Sequence, residues 1–239
     1  MISVVIPTLD EAARLPLLLA DLAADGGLIS EVIVVDGGSA DATPTVARLA
    51  GARVLMAPAS RGAQLVAGIA QASGPWLWLL HADARLPRGW HQRLLPVLRA
   101  PDDGALRAWY GRLQVQLPGP QYRLLELAVS LRSRCWQRPY GDQSLLLTRR
   151  THDQVGGLRP LPLMEDLDFA QRLARCGRWV SLGLPVQVDG RRWQRLGFLG
   201  TLWANAALRR AWRQGVAPQL LYGAYQKAQR RPWGSSSQP

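Results

Sequence analysis

The segment WLWLLHADAR, residues 76–85, joins five consecutive apolar residues to a histidine and an aspartate. Gly74-Pro75 precedes the run and Leu86-Pro87 follows it. An apolar run of this length between turn residues is typical of a central strand of a parallel sheet that is buried on both faces. Asp83 then lies just beyond the carboxyl end of the strand, where open α/β sheets bind their ligands.

Three earlier segments repeat this arrangement of a strand followed by a helix. The predicted strands cover 2–6, ended by Pro7, then 31–36 and 52–56. The predicted helices carry leucines 15, 18, 19 and 22, then residues 45–50, then a segment from Arg61 to Ala72. Strands that alternate with helices predict an α/β protein with a mostly parallel sheet.

Polar residues follow each predicted strand, so they converge on one edge of the sheet. They are Thr8, Asp10 and Glu11 after the first strand, Asp36 with Gly37-Gly38 at the second, and Arg61 after the third. Asp36 can accept hydrogen bonds from a nucleoside, and a forked guanidinium suits a diphosphate. The alternatives are that Asp10 and Glu11 only favour a helix start and that Arg61 is an ordinary surface arginine. The chain lacks GxGxxG, which argues against a dinucleotide site.

The pattern changes after Pro101. Apolar and polar residues alternate over 112–117, which predicts a half-exposed strand, antiparallel in a mixed sheet. Residues 144–148 predict a further buried strand. A helix then begins near Met164 with Glu165, Asp166 and Asp168 in its first turn. These carboxylates either complement the helix dipole or include a general base.

Composition limits the classes of function. The net charge of +12 comes from arginines spread along the chain, with Lys227 as the sole lysine, so specific nucleic-acid binding is disfavoured. Cys135 and Cys176 are predicted to be reduced core thiols. Residues 1–7 lack a basic leader, and no apolar stretch reaches the length of a spanning helix. These features predict a cytoplasmic protein.

The C-terminal part predicts two helices. One carries Leu199, Leu202, Trp203 and Ala206 at helical spacing, and the second runs from Pro218 to Tyr225. The pair either packs on the main domain or forms an interfacial element that contacts the inner face of a membrane and admits a lipid-linked acceptor. Residues 231–239 predict a disordered tail.

Four segments together resemble family 2 glycosyltransferases of the GT-A fold. They are IPTLDE at 6–11, VVDGGSADAT at 34–43, HADARLP at 81–87 and MEDLDF at 164–169, and the resemblance covers about residues 2–180. RGAQ at 61–64, GDQ at 141–143 and RRW at 191–193 are similar to a bacterial subgroup labelled as arsenosugar-biosynthesis-type glycosyltransferases. The implied fold is a GT-A (Rossmann-like) mixed, mostly parallel sheet flanked by helices, with a C-terminal helical extension.

The resemblance also implies roles for individual residues. Those expected to hold the nucleotide are Pro7, Thr8, Glu11, Asp36, Gly38, Arg61, Ala82 and Asp83. His81 and Asp83 stand where the family usually has an Asp-x-Asp motif, so Asp83 is expected to bind a divalent metal, Mn²⁺ or Mg²⁺, with His81 either a ligand or an orienting group. Asp166 is expected to be the catalytic base, with Glu165 beside it. Asp189 stands in place of the glutamine that precedes the Arg-Trp pair in processive relatives, which disfavours polymer synthesis.

The predicted activity is therefore inverting, metal-dependent transfer of a sugar from a UDP- or GDP-linked donor to an acceptor hydroxyl. A nucleotidyltransferase on a similar α/β sheet and a basic binding protein without turnover are the alternatives. The predicted division is a glycosyltransferase domain over 1–189, with a nucleotide-binding half at about 1–100 and an acceptor half at about 101–189. A helical region over 190–230 and the tail follow.

Overall fold

The computed structural model describes residues 1–230, a mixed sheet flanked by helices. In this range the strands are β1 (Ile2–Thr8), β2 (Ile29–Asp36), β3 (Arg53–Met56), β4 (Trp76–Leu79), β5 (Arg107–Val115), β6 (Leu145–Thr148) and β7 (Arg178–Val188). The helices are α1 (Leu15–Ala23), α2 (Thr43–Leu49), α3 (Arg61–Gln71), α4 (Trp90–Arg99), α5 (Pro120–Cys135), α6 (Arg149–Gln154), α7 (Glu165–Cys176), α8 (Arg191–Leu196), α9 (Phe198–Arg213) and α10 (Pro218–Arg230). The predicted tail at 231–239 lies outside the described residues.

The strand order is β3-β2-β1-β4-β6-β5-β7, and β6 runs antiparallel to both of its neighbours. The remaining pairs are parallel. The prediction that the 112–117 segment is the antiparallel strand was wrong. Alternation reports that one face of a strand is exposed, but it carries no information about strand direction.

The sheet separates two apolar cores, and successive residues of β1 point to opposite cores. Val4 and Ile6 pack with α1 and α4, whereas Val5 packs with α3 and α7. A third, smaller core lies at the far end of the sheet and joins β5, β7 and α5. Burial on both faces explains why the central strands read as continuous apolar runs.

Two further local predictions need correction, and one strand was missed. Pro7 does not end β1, which continues to Thr8. The backbone groups of odd-numbered β1 residues point towards β4, and β4 ends at Leu79. Proline lacks a backbone N–H, but no β4 residue is paired with position 7, so no hydrogen bond between strands is lost. The strand β7 was not predicted from the sequence at all. Cys135 and Cys176 are free but exposed near helix ends rather than buried in the core.

The predicted C-terminal helical extension is present as α8, α9 and α10. Trp193 and Phe198 stack on each other and meet the ring of Tyr122 edge-on, so the extension packs against α5. Tyr222 of α10 donates a hydrogen bond to the Ala59 carbonyl, 3.0 Å away, just before α3. Among the described helices, none is long and apolar enough to cross a membrane.

Candidate active site

The loops after β1 and β2 are tied together by hydrogen bonds between side chains and backbone. The Asp10 amide donates to the Ser39 hydroxyl, and the Ala40 amide donates to the Asp10 carboxylate. The Glu11 amide donates to the Thr43 hydroxyl at 2.8 Å. These bonds fix the two loops against each other at the carboxyl edge of the sheet.

Asp36 lies underneath this pair of loops with a fully buried side chain. Its Oδ2 accepts from the amides of Gly38 and Ser39, at 2.9 and 2.8 Å, and its Oδ1 accepts from the Thr8 hydroxyl at 3.2 Å. Both oxygens of the Asp36 carboxylate therefore accept hydrogen bonds from the protein itself. Asp36 therefore supports the two loops from below, and the exposed edge is formed by the loop residues above it.

Gln64 completes this part of the site from the first turn of α3. Its buried Nε2 donates to the carbonyls of Thr8 and Val35, each at 2.8 Å. The side chain thus bridges the ends of β1 and β2 and fixes the start of α3 against them. That position determines where Arg61, three residues earlier, can reach.

Arg61 points towards the start of α7. Its Nη1 lies 3.2 Å from Glu165 Oε1 and 3.7 Å from Asp166 Oδ2. A Cβ atom added to Gly141 would lie 1.9 Å from Arg61 Nη2, so the guanidinium occupies space that only glycine leaves open. Arg61, which follows β3, therefore lies at the candidate site. Its ion-pair partners are carboxylates from the second half of the chain.

Glu165 and Asp166 are adjacent but differ in exposure. The Glu165 side chain is 2% exposed and that of Asp166 is 17% exposed. Burial raises the pKa of Glu165 to about 7, against the opposing effect of Arg61. Asp166 Oδ2 accepts from the Gly141 amide at 2.8 Å, which orients a carboxylate that a ligand could reach.

Asp168 belongs to a different set of contacts. It binds Arg172 Nε at 2.9 Å and Arg159 Nη1 at 3.1 Å, and Arg172 also donates to the carbonyls of Val155 and Gly157. This network secures the 155–159 loop. Of the three acidic residues that begin α7, two therefore line the candidate site and one supports a loop.

His81, Ala82 and Asp83 follow β4, as the sequence predicted. His81 Nδ1 lies 3.9 Å from Asp83 Oδ1, and Ala82 is buried between them in the chain. Burial, together with Arg61 and Arg191, lowers the pKa of His81 well below its ordinary value. Burial and the neighbouring Glu11 raise the pKa of Asp83.

Arg191, from the start of α8, bridges this group to the first loop. Its Nη2 is bonded to Glu11 Oε1 and lies 3.8 Å from Asp83 Oδ2. Arg14 pairs in a similar way with Asp189. Two arginines therefore compensate three acidic residues at the mouth of the site: Glu11, Asp83 and Asp189.

The residues present fit a divalent metal ion. A neutral imidazole offers a lone pair, and His81 Nε2 is buried without a hydrogen-bond partner. Carboxylate and imidazole suit Mn²⁺, and carboxylate alone suits Mg²⁺. Within residues 1–230 no three His, Cys, Asp or Glu side chains are arranged to hold a metal. Asp83 and His81 would be the protein ligands, and the phosphates of a substrate would complete the coordination.

Sequence reasoning missed Asp142 and Arg191 as site residues. Asp142 Oδ1 is buried without a partner, and burial raises its pKa, with Arg132, Asp166, Arg61 and Asp83 as charged neighbours. Both residues fall within the GDQ and RRW segments noted above, so the signal was present. Neither segment follows a predicted strand, and their positions depend on how β5 to β7 join the sheet.

The fold recurs in solved structures of other proteins. A mycobacterial protein is 24% identical with a TM-score of 0.56, and the match covers 79% of this chain and 65% of that protein. A fragment of S. aureus TarS is 17% identical with a TM-score of 0.60, over 80% of this chain and 61% of the fragment. Glucosyl-3-phosphoglycerate synthase from Mycobacterium tuberculosis is 22% identical with a TM-score of 0.54, over 79% of this chain and 69% of the synthase.

At these identities the likeness shows a shared fold, and it confirms the GT-A prediction. The chain spans less than two thirds of the first two of these proteins. A search of the curated proteins finds no match. The family model described as glycosyl transferase family 2 matches residues 3–160. The chain belongs to glycosyl transferase family 2.

Proposed function

We propose that the protein transfers a sugar from a nucleoside-diphosphate donor to an acceptor hydroxyl with inversion at the anomeric carbon. The observation that carries the proposal is the convergence of Asp83 and His81 with Arg61 and Asp166 at one edge of the sheet, beside the loops held by Asp36. The proximity of cationic, carboxylate and imidazole groups to these loops supports a nucleotide-sugar site.

The donor nucleotide lies on the first half of the chain in this proposal. Pro7, Thr8, Glu11 and Gly38 border the nucleoside, on the loop that Asp36 organises. Arg61, with Ala82 and Asp83, faces the diphosphate. The related synthase structures contain UDP with Mn²⁺ or Mg²⁺, which supports a UDP-linked donor, and a GDP-linked donor is the second choice.

Asp166 acts as the base in the transfer. It takes the proton of the acceptor hydroxyl while the hydroxyl oxygen forms a bond to the anomeric carbon, and the bond from that carbon to the diphosphate oxygen breaks. Arg61 stabilises the charge that develops on the leaving diphosphate, and Glu165 holds Arg61 in place. Asp83, with His81, would hold a divalent ion, which would supply Lewis-acid neutralisation of the diphosphate when bound.

The acceptor half, about residues 101–189, completes the catalytic domain over 1–189, and the 190–230 region closes it from the side of α5 and α3. We place the chain with the arsenosugar-biosynthesis-type subgroup on the RGAQ, GDQ and RRW segments, since Arg61, Asp142 and Arg191 from these segments meet at one site. A cytoplasmic enzyme that contacts the inner face of a membrane, with an acceptor that is lipid-linked, is consistent with the basic helical region.

The test is a panel of nucleotide sugars with Mn²⁺ or Mg²⁺, with analysis of the released nucleotide. We expect release of the nucleoside diphosphate, loss of turnover with a chelator, and recovery with Mn²⁺ at least as strong as with Mg²⁺. Release of pyrophosphate would instead identify a nucleotidyltransferase. A thermal-shift panel of nucleoside diphosphates with Mn²⁺ identifies the base, since stabilisation follows affinity. Absence of a change in melting temperature with every nucleoside diphosphate would count against the proposed glycosyltransferase activity.

A further inference from the structure

The outer face of α5 carries an apolar stripe that no described element covers. Leu124, Leu127 and Leu131 recur at helical spacing and are 67%, 56% and 50% exposed. The opposite face, with Tyr122 and Val129, packs against the sheet. Surface leucines occur singly in most proteins, but a contiguous exposed row marks an interaction surface.

The outer face of α9 also carries exposed apolar side chains. Leu199 and Trp203 are 68% and 75% exposed. The two helices approach each other at their ends, because Phe198 at the start of α9 meets Tyr122 at the start of α5, and Arg209 lies near Tyr140 just beyond the end of α5. Both helices turn their inner faces to the protein and leave these apolar side chains exposed. We call the surface formed by Leu124, Leu127, Leu131, Leu199 and Trp203 the α5–α9 face.

The charge around this face is predominantly positive. Residues 190–230 contain eight basic residues and no aspartate or glutamate. Arg210 and Arg213 lie on the exposed side of α9. On α5 the acidic residue is Glu126, which is bound to Arg123 and to the Val115 amide. Apolar side chains surrounded by arginines match the boundary between the headgroups and acyl chains of an anionic bilayer.

We propose that the α5–α9 face docks the protein on an anionic membrane surface, with the leucines and Trp203 inserted and the arginines at the phosphates. A second copy of the chain is the less favourable occupant, because a symmetric pair would bring two strongly basic regions together. The proposal deepens the acceptor side of the proposed function and rests on it there, since α5 belongs to the acceptor half. Membrane binding is measured without enzymatic turnover, so the docking proposal and the proposed glycosyltransferase activity can each fail independently of the other.

The experiment is vesicle flotation of the full chain with phosphatidylglycerol and phosphatidylcholine mixtures, compared with phosphatidylcholine alone. We expect binding to the anionic vesicles that weakens as salt is raised. Replacement of Leu124, Leu127 and Leu131 by serine should reduce binding at least about tenfold. Arg210→Gln and Arg213→Gln should each reduce it about fivefold at low salt.

The matched control is Leu49→Ser with Met56→Ser, which removes two exposed apolar side chains at the opposite edge of the sheet. This control should bind as the unaltered chain does. A second measurement compares quenching by brominated lipid in the unaltered chain and in Trp203→Phe, where loss of quenching places Trp203 in the bilayer. The proposal is overturned by absence of binding to anionic vesicles, by equal binding of the α5 variant, or by a dimer in solution that the α5 variant abolishes.

Discussion

Asp166 and Glu165 are adjacent carboxylates whose surroundings assign them different tasks. Asp166 is within reach of a ligand and is held by the Gly141 amide, whereas Glu165 is buried against Arg61. We expect Asp166→Asn to lower turnover by about 10² to 10⁴ while the affinity for the donor nucleotide is nearly unchanged. Near-normal turnover in Asp166→Asn, with a dead Glu165→Gln variant, would show that the base is misassigned.

Glu165 predicts a pH dependence of stability. Its pKa is raised from 4.5 to about 7, so the folded state favours the protonated form. The stability that this preference contributes is present below about pH 4.5 and is lost as the pH rises through about 7. The unaltered chain should therefore lose unfolding free energy relative to Glu165→Gln as the pH is raised from 5 to 8, by up to about 3 kcal/mol. Urea unfolding at both pH values measures the difference, and a constant gap would contradict the prediction.

Arg191 places a positive charge beside Glu11 and 3.8 Å from Asp83. A metal ion would compete with this guanidinium for the same carboxylates. We expect Arg191→Gln to bind Mn²⁺ alone several-fold more tightly, since removing a charge at this distance is worth about 1 kcal/mol or more. The free Mn²⁺ signal in electron paramagnetic resonance measures the affinity. Arg107→Gln, at an exposed pair with Asp103, is the control and should leave the affinity unchanged.

At the scale of elements, α3, α7 and the 141–143 turn must fit closely for Arg61 to reach its partners. A methyl group on Gly141 would meet the end of the Arg61 side chain, which can move. A methyl group on Gly62 would lie 2.2 Å from the Leu161 carbonyl oxygen, which belongs to the backbone. Substitution of Gly141 should therefore disturb the position of Arg61, whereas substitution of Gly62 should disturb the stability of the fold.

We expect Gly141→Ala to lower turnover by at least about tenfold with little change in melting temperature, because displacing Arg61 removes a stabilising charge but no core packing. Gly62→Ala should instead lower the free energy of unfolding by about 1–3 kcal/mol, since two backbone segments must separate. Turnover and thermal unfolding of both variants provide the comparison. Equal loss of stability in the two would refute the separation.

The elements also divide into those that the sequence could predict and those that it could not. The four βα units were predictable because each strand is a short, mainly apolar run and polar residues follow it in the chain. The direction of β6 and the existence of β7 were not, because strand pairing depends on residues far apart in the chain. Leu145 pairs with Leu79, and Arg107 pairs with Arg178.

At the scale of the whole molecule, the C-terminal extension is tied to both the core and the candidate site. Trp193 and Phe198 cover the third apolar core, and Tyr222 is bonded to the segment before α3. Arg191 reaches Glu11 across 180 residues of chain. We therefore expect the 190–230 region to stabilise the 1–189 domain.

A chain that ends at Asp189 should consequently lose at least about 3 kcal/mol of unfolding free energy, since the aromatic cover of the third core is removed. Its affinity for nucleoside diphosphates should also fall. A chain that ends at Arg230 is the control, because residues 231–239 are predicted from sequence to be disordered. Urea unfolding compares the three chains, and full stability of the shorter chain would mean that the extension contributes no packing energy.

The sequence by itself determined the α/β class, the order of the first four units and the identity of Thr8, Asp36, Asp83 and Asp166 as polar residues at strand or helix ends. These follow from local periodicity and from the geometry of parallel strands. The tertiary structure alone decided that Arg61 faces Glu165, that Asp168 supports a loop, and that Arg191 shares the carboxylates of Glu11 and Asp83. Such contacts join residues of distant segments, and their partners are set by how the second half of the sheet packs against the first.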